Sequence, residues 1–454
     1  MEYLALWMFV VLLLFMLSGY PVAFCLGATA VLFTLIGSDL LPNLGISLPW
    51  DPLFRTTRLN ILPQRIFGSV MDNYTLVAVP FFVFMGVMLE KSGLAEDLLK
   101  TMGRLFGQMR GGLAISVVAV GALLAASTGV VGASVVTMAV LALPVMMKYG
   151  YDKGLASGVI ASSGTLGQII PPSIVLIILG DQMGVNVGDL FLGALVPGLV
   201  LASLYIIYVA GFAFLKPSAA PALPKHSDDF VVQNLALAVL RSLLPPLALV
   251  GVVLGTIFMG VASPTEAGAM GAAGATLLAL MNRRLNLTSL RACTETTVRL
   301  TAMVFIILVG ATAFAMVFNA LGGHWLVEDF LLGIPGGELG FLFFVMLTIF
   351  ILGFFLDFIE ITFIVVPLIA PIAITLGFDP IWFGVLIAMN LQASFLTPPF
   401  GFSLFYLRGA APASIRTMDI YRGIIPFIII QLVMLIVIVA FPGLVLWLPG
   451  VSPN

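Results

Sequence analysis

The sequence predicts an all-α polytopic membrane protein built from two inverted repeats. Composition is the first observation behind that reading. Of the 454 residues, 61% are hydrophobic and 9% charged, with a mean hydropathy of +1.19, a balance that soluble domains do not have. The second observation is an internal repeat. Moved along the chain by 227 residues, Pro171 and Pro172 fall on Pro398 and Pro399, Pro144 on Pro371, Gly150 on Gly377 and Asp152 on Asp379. All of these residue types set backbone structure. The third is charge. With residues 91–110 on the cytoplasmic side, 16 of the 19 Lys and Arg residues fall on that side, while the loops 181–189, 259–264, 320–338 and 377–380 carry none and fall outside. Arg55, Arg58 and Arg65 break the pattern; they share one long outer loop with Asp39, Asp51 and Asp72.

The first repeat covers residues 1–215. Its first span, 3–17, lacks a basic leader and a small-residue cleavage site and reads as a retained helix. A second span ends near Gly37, a loop occupies 38–72, and a third span covers 74–89. In the stretch 94–106, Leu94, Leu98, Leu99, Met102, Leu105 and Phe106 share one face and Glu96, Asp97, Lys100 and Arg104 the other. That pattern marks a helix lying in the membrane interface, with an ordinary cytosolic helix as the alternative. Residues 112–147 hold two apolar halves of about 15 residues, each short of the roughly 20 needed to cross. Between them lie Ser127, Thr128, Gly129, Gly132 and Ser134. The stretch reads as a re-entrant hairpin, with two tilted spans as the runner-up. Residues 154–180 form a span broken at Pro171–Pro172, because proline has no amide proton and clashes with the preceding turn. The span 190–215 completes the half.

A polar cytoplasmic linker, 216–234, precedes the second repeat, 235–454. There the plan recurs: spans at 235–258, 265–281 and 300–319, a basic connector at 283–299, and a short counterpart of the interfacial arm at 324–332. A second hairpin at 338–373, a second broken span at 381–407 and a last span at 424–447 follow. Five spans per half is an odd number, so the second half lies upside down relative to the first, and both termini lie outside.

Broken helices near the midplane mark secondary transporters. In hydrocarbon the carbonyls freed at a break need partners, and the half-helix ends supply amide protons for an anion and carbonyls for a cation. The first hairpin tip and break would bring Ser127, Thr128, Gly129, Gly132 and Ser134 to Ser163, Thr165, Gly167, Ile170 and Pro172. Hydroxyls and carbonyls without a carboxylate suit Na⁺. The second would bring Gly353, Asp357, Glu360 and Thr362 to Asn390, Gln392, Ser394 and Thr397. Asp357 is expected to bind a cation or to gate; the alternative is that it caps a hairpin helix. Glu360 reads as a gating group or as one reaching outer water. Gln392 reads equally as a site residue or an interhelical hydrogen bond. Ser163, Thr165, Glu360, Asn390 and Gln392 are the substrate or gating candidates. Glu266 reads as a cap, and 268–274 as close helix packing.

The other readings have less support in the residues. Cys25 and Cys293, one in an apolar span and one in a basic loop, suggest no disulfide or metal framework, and His226 and His324, both read in loops, no His-based site. An intramembrane enzyme would want a His-Glu-x-x-His, a Gly-x-Gly-Asp or a Ser/His pair, none of which occurs. For an ion channel, two opposed hairpins closing one site argue instead for a carrier.

The segments Leu-Gly-Gln-Ile-Ile-Pro-Pro-Ser-Ile (166–174), Phe-Leu-Thr-Pro-Pro-Phe-Gly (395–401), Gly-Phe-Asp-Pro-Ile-Trp-Phe-Gly (377–384) and Pro-Thr-Glu-Ala-Gly (264–268) resemble the large membrane (M) subunit of TRAP, tripartite ATP-independent periplasmic, transporters. The resemblance runs over residues 1–449. It implies a multi-pass protein of the bacterial inner membrane with an elevator-type ion transporter fold and Na⁺-coupled import of an organic anion, usually a carboxylate. It implies Na⁺ sites at the hairpin tips and breaks: one at Ser127, Thr128, Gly129, Gly132, Ser134, Gly167, Ile170 and Pro172, the other at Gly353, Asp357, Ser394 and Thr397. A small four-span membrane subunit and a soluble periplasmic substrate-binding protein are the implied partners. The 38–72 loop is longer than the resemblance leads one to expect. A stand-alone symporter of the same fold is the alternative.

Overall fold

In the computed structural model, residues 3–40, 43, 56–128, 131–224, 235–399 and 401–451 are described, without the side chains of 58 and 125–128. The described residues contain no strand. Six helices are long and apolar enough to cross a membrane, and eight are if each of two bent pairs counts as one span.

The first half runs α1 (Leu4–Leu17), α2 (Val22–Leu35, prolonged by one π-helical turn to Leu40), the short α3 (Leu62–Ile66), α4 (Ala78–Lys91) and α5 (Leu94–Phe106). Residues 41–42 and 44–55 of the 38–72 loop, and 225–234 of the linker, lie outside the described residues. Helices α4 and α5 meet at a 58° bend. Gly93 makes it, in the left-handed region at φ 73°, where L side chains are strained. The amphipathic pattern of α5 is realised, but its apolar face is covered by protein: Leu94, Leu98, Leu99 and Met102 are buried and Leu105 is exposed, and α5 packs on α6 (Gly112–Thr128) and α11 (Leu235–Ser242).

Next come α6, α7 (Val131–Lys148), α8 (Lys153–Thr165), α9 (Ile174–Met183) and α10 (Val187–Leu215). Helices α6 and α7 pack on each other. By length α7 could cross unaided, so length alone does not separate a hairpin from two spans.

The second half holds α11, α12 (Leu244–Phe258), α13 (Pro264–Met281), α14 (Leu287–Ala320), α15 (Gly323–Leu332), α16 (Gly337–Leu352), α17 (Phe358–Ile364), α18 (Val366–Thr375), α19 (Pro380–Leu396), α20 (Phe402–Ala410), α21 (Thr417–Ala440) and α22 (Gly443–Val451). Three boundaries differ from the sequence reading. Most of the basic connector is helix: α14 begins at Leu287, capped by Asn286 and Ser289, so Arg291, Arg299 and the buried Cys293 lie on it. His324 likewise sits in α15 rather than in a loop. The last span begins seven residues earlier than 424 and stops at Ala440 before Pro442, leaving α22 as a separate helix. At the start of α13, Ser263 and Glu266 form the expected capping box, and Gly268 and Gly271 admit Phe82 and Met85 of α4.

One device occurs in both halves. At the end of α7, Gly150 turns left-handed (φ 76°), the Tyr151 amide donates to the Met146 carbonyl, and Asp152 caps α8 by accepting from the Leu155 amide at 2.9 Å. At the end of α18, Gly377 does the same (φ 89°), with Phe378 donating to Ala373 and Asp379 accepting from the Ile381 and Trp382 amides. Each is a glycine-terminated helix end followed by an Asp N-cap.

Candidate functional site

Both prolines of each pair fall where a rod stops. Helix α8 ends at Thr165, and a tight turn at Leu166–Gln168 precedes Pro171 and Pro172. Ser173 donates to the Gln168 carbonyl at 2.8 Å, and α9 begins one residue later. In the other half α19 ends at Leu396 and Thr397 is extended. Pro398 and Pro399 follow, and α20 starts after Gly401. A side chain at Gly401 would lie 2.5 Å from the Phe395 carbonyl oxygen and 3.0 Å from that of Thr397, so glycine lets these carbonyls converge. Tyr421 donates to the Pro399 carbonyl at 2.9 Å.

Each break sits against its own helix pair. In the first half a Cβ on Gly121 of α6 would come within 2.5 Å of the Ser163 Cβ, and one on Gly164 within 2.4 Å of Val135 of α7. In the second, a Cβ on Gly353 would lie 2.1 Å from the Ser394 Oγ, and the Asn390 side-chain amide donates to the Met346 carbonyl of α16 at 2.7 Å. The two breaks meet at Gln392, whose Nε2 lies 3.4 Å from the Thr165 Oγ1, a partner 227 residues away. That is the register of the proline pairs.

The hydroxyls at both breaks are arranged alike. Ser163 donates to Ile160, Thr165 to Ser162, Ser394 to Leu391 and Thr397 to Ala393. Each spends its one proton on a carbonyl of its own helix and keeps oxygen lone pairs for a cation or a donor. Ser163, Thr165 and Ser394 are fully buried. An all-oxygen set of this kind fits a hard cation.

Asp357 and Glu360 cap α17. The Asp357 carboxylate accepts from the Phe358 amide at 2.7 Å, and the Glu360 carboxylate accepts from the Asp357 amide at 3.1 Å. The capping alternative is therefore realised for Asp357, and Glu360 is buried rather than reaching water. Asp357 does a second thing. It lines a cavity of about 100 Å³ with Val131, Gly132, Phe402, Tyr406 and residues 300, 303 and 304 of α14. Gly132, grouped by sequence with the first site, stands here against the Tyr406 ring, 2.8 Å from where its Cβ would be. The cavity thus joins the tips of both helix pairs.

Of the remaining candidates, Gly167, Ile170 and Pro172 are buried within the first break and Ser134 is buried on α7. Gly129 and the side chains of Ser127 and Thr128 lie outside the described residues. Two groups were missed by sequence reasoning. Tyr406 lines the cavity, and its place soon after the second proline pair was a usable signal. Gln168 is fully buried, and neither of its amide atoms has a partner among the described residues; it stands inside the Leu-Gly-Gln-Ile-Ile-Pro-Pro segment.

Apolar spans, two interrupted rods and one cavity between them define a multi-pass membrane transport protein. Comparison with solved structures agrees at the level of fold. The Alcanivorax borkumensis YdaH transporter superposes with a TM-score of 0.66 over 94% of this chain and 100% of that one, at 14% identity. The family comes from sequence: the profile described as "Tripartite ATP-independent periplasmic transporter, DctM component" matches residues 9–444. The chain is similar to the C4-dicarboxylate TRAP transporter large permease protein DctM of Vibrio cholerae, at 31% identity over 97% of this chain and 96% of the relative. It is also similar to the sialic acid TRAP transporter large permease protein SiaM of the same species, at 29% identity over 95% of each. The protein belongs to the DctM family of TRAP transporter large permeases.

Proposed function

We propose that this chain is the large permease subunit of a Na⁺-coupled importer of a small organic anion in the bacterial inner membrane. A periplasmic binding protein delivers the anion, and a small four-span subunit completes the membrane part. The named relatives act on C4-dicarboxylate and sialic acid, which supports an anionic substrate. The helix pairs and broken spans form the moving body of an elevator. The 227-residue register, the matching glycine-and-Asp devices and the Thr165–Gln392 contact support reading the halves as inverted repeats related about an axis near that contact.

The observation that carries coupling is electrostatic. Asp357 is the one charged group lining the cavity between the helix-pair tips, with no Lys, Arg or His among the described lining residues. An organic anion entering so small an apolar space beside a carboxylate is strongly disfavoured. Cations held by the hydroxyls and carbonyls of the two breaks reverse that field, so the anion binds only after them. Na⁺ supplies the positive charge; the residues at the breaks hold it through Gly167, Ile170, Ser394, Thr397 and their neighbours.

The test is reconstitution in liposomes with the small subunit, followed by uptake under an inward Na⁺ gradient with and without the purified binding protein. Uptake that needs both is expected. Full uptake without the binding protein would favour a stand-alone symporter of the same fold, and uptake indifferent to Na⁺ would remove the coupling.

A further inference from the structure

Beyond the cavity, three helices carry polar groups in one direction. On α14, which packs on both α2 and α4, Cys293, Thr297, Thr301 and Val304 follow one another at helical spacing; Cys293, Thr297 and Val304 are buried. The other threonines bonded within this helix, Thr294, Thr296 and Thr312, donate to the carbonyl four residues back. Thr297 and Thr301 do not: both hydroxyls are buried and have no partner among the described residues. Thr297 is 8% exposed. A buried hydroxyl left without even this available bond is one that a ligand or water can satisfy.

The facing helices continue the row. Val83 of α4 lines the cavity, and Glu90 stands seven residues on, two turns along the same face. Val131 and Gly132 of α7 line the cavity as well, and Thr137, further along α7, donates to the Glu90 carboxylate at 2.6 Å. At the far end Arg284, three residues before α14, lies against Gly93, two residues past α4, which places the start of α14 at the Glu90 end of α4.

We infer that Thr301, Thr297, Thr137 and Glu90 form the path by which the coupling cation leaves the cavity. It ends at the end of α4 that the charge pattern places on the cytoplasmic side. This rests on the coupled-import reading above. The ligand class is a hard monovalent cation, for which a carboxylate and hydroxyl oxygens in series are apt. Glu90 belongs to α4 and Thr137 to the first helix pair, so their hydrogen bond closes the path in this state and breaks when the pair moves relative to α4. Lys91, exposed at the same helix end, is the competing cation that keeps the carboxylate from trapping the ion.

The test uses proteoliposomes carrying the full chain with its membrane partner, with binding protein added outside, and compares the parent with Glu90→Gln and with the Thr297→Val, Thr301→Val double variant. Two quantities are read: the external Na⁺ giving half-maximal uptake, and the lumenal Na⁺ that half-inhibits it. Net uptake is expected to fall by about tenfold in both variants, the effect of one lost hydrogen bond to a charged group. External half-saturation stays unchanged, and lumenal Na⁺ inhibits only at several-fold higher concentration. Thr297→Ser, which keeps the hydroxyl, behaves as the parent. Parent-like uptake in both variants, a proportional rise in the external half-saturation, or a Ser variant as impaired as the Val one overturns the path while leaving coupling intact. A parent chain indifferent to Na⁺ instead removes the coupling, and the path with it.

Discussion

The two helix pairs with their breaks use the same backbone and different chemistry. The first break is neutral: Ser163, Thr165 and Gly167 meet α6 and α7, whose helices pack against each other. The second carries two carboxylates, Asp357 and Glu360, in one capping box. Its arms stand apart around an apolar pocket of about 220 Å³ between α16 and α18, which Phe9 of α1 and Phe330 of α15 also line. Helix α18 meets α17 at a 56° bend, next to Pro367, where α7 of the first pair is one continuous helix. A closed, neutral pair and a splayed, acidic pair point to a division of labour. The first holds a cation through oxygen dipoles, and the second changes shape and sets the sign of the cavity's field.

Substituting the closest glycine contacts is the strongest way to break this comparison. Gly353→Ala puts a methyl 2.1 Å from the Ser394 Oγ, and Gly121→Ala puts one 2.5 Å from the Ser163 Cβ. Overpacking of that kind costs about 1–3 kcal/mol, and we expect uptake to fall by more than about tenfold in both. Because the second pair is splayed, Gly353→Ala should be relieved by Ser394→Gly, whereas the tighter first pair should gain less from Ser163→Gly. Equal rescue, measured as thermal stability in detergent, would erase the distinction.

Asp357→Asn comes next. Removing the one charge among the cavity's described lining residues should raise the Na⁺ needed for half-maximal uptake by about tenfold, on the scale of one charge-assisted contact, and leave the affinity of the binding protein for its ligand untouched. An unchanged Na⁺ dose curve would leave Asp357 a helix cap and nothing more.

The seam between the halves predicts a smaller effect. In a double-mutant cycle of Thr165→Val and Gln392→Leu, read as thermal stability in detergent, a coupling of about 0.6 kcal/mol is expected, the usual size for a membrane-buried side-chain pair. Additive losses would separate the two residues. Smallest of all should be Thr397→Ala, which removes an oxygen while its neighbour Ser394 remains; a rise of about threefold in half-saturating Na⁺ is expected, from one weak ligand among several.

Much of the architecture was legible because a few residue types have only one physical use in an apolar run. Paired prolines end a helix, Gly150 and Gly377 terminate one, and Asp152 and Asp379 start the next. Where several uses compete, the sequence misled. Arg291 and Arg299 made a helical turn of α14 look like a loop, because charge signals the water side of a span and not its end. Leu94 to Met102 looked like a lipid-facing stripe, although α6 and α11 cover it. Gln168 was passed over because nothing in a sequence tells whether a buried amide finds a partner.

The sequence by itself settled that the chain is a set of apolar helices, which two stretches are interrupted at proline pairs, and which residues sit at the interruptions. All of that follows from local rules on proline, glycine and runs of apolar side chains. Only the tertiary structure decided that Gly132 and Asp357 share a cavity, that Gln392 reaches Thr165, and that Glu90 is tied to Thr137. Those pairings depend on how rods distant in the chain lie against one another, and helix packing is set by the summed fit of many side chains rather than by any motif.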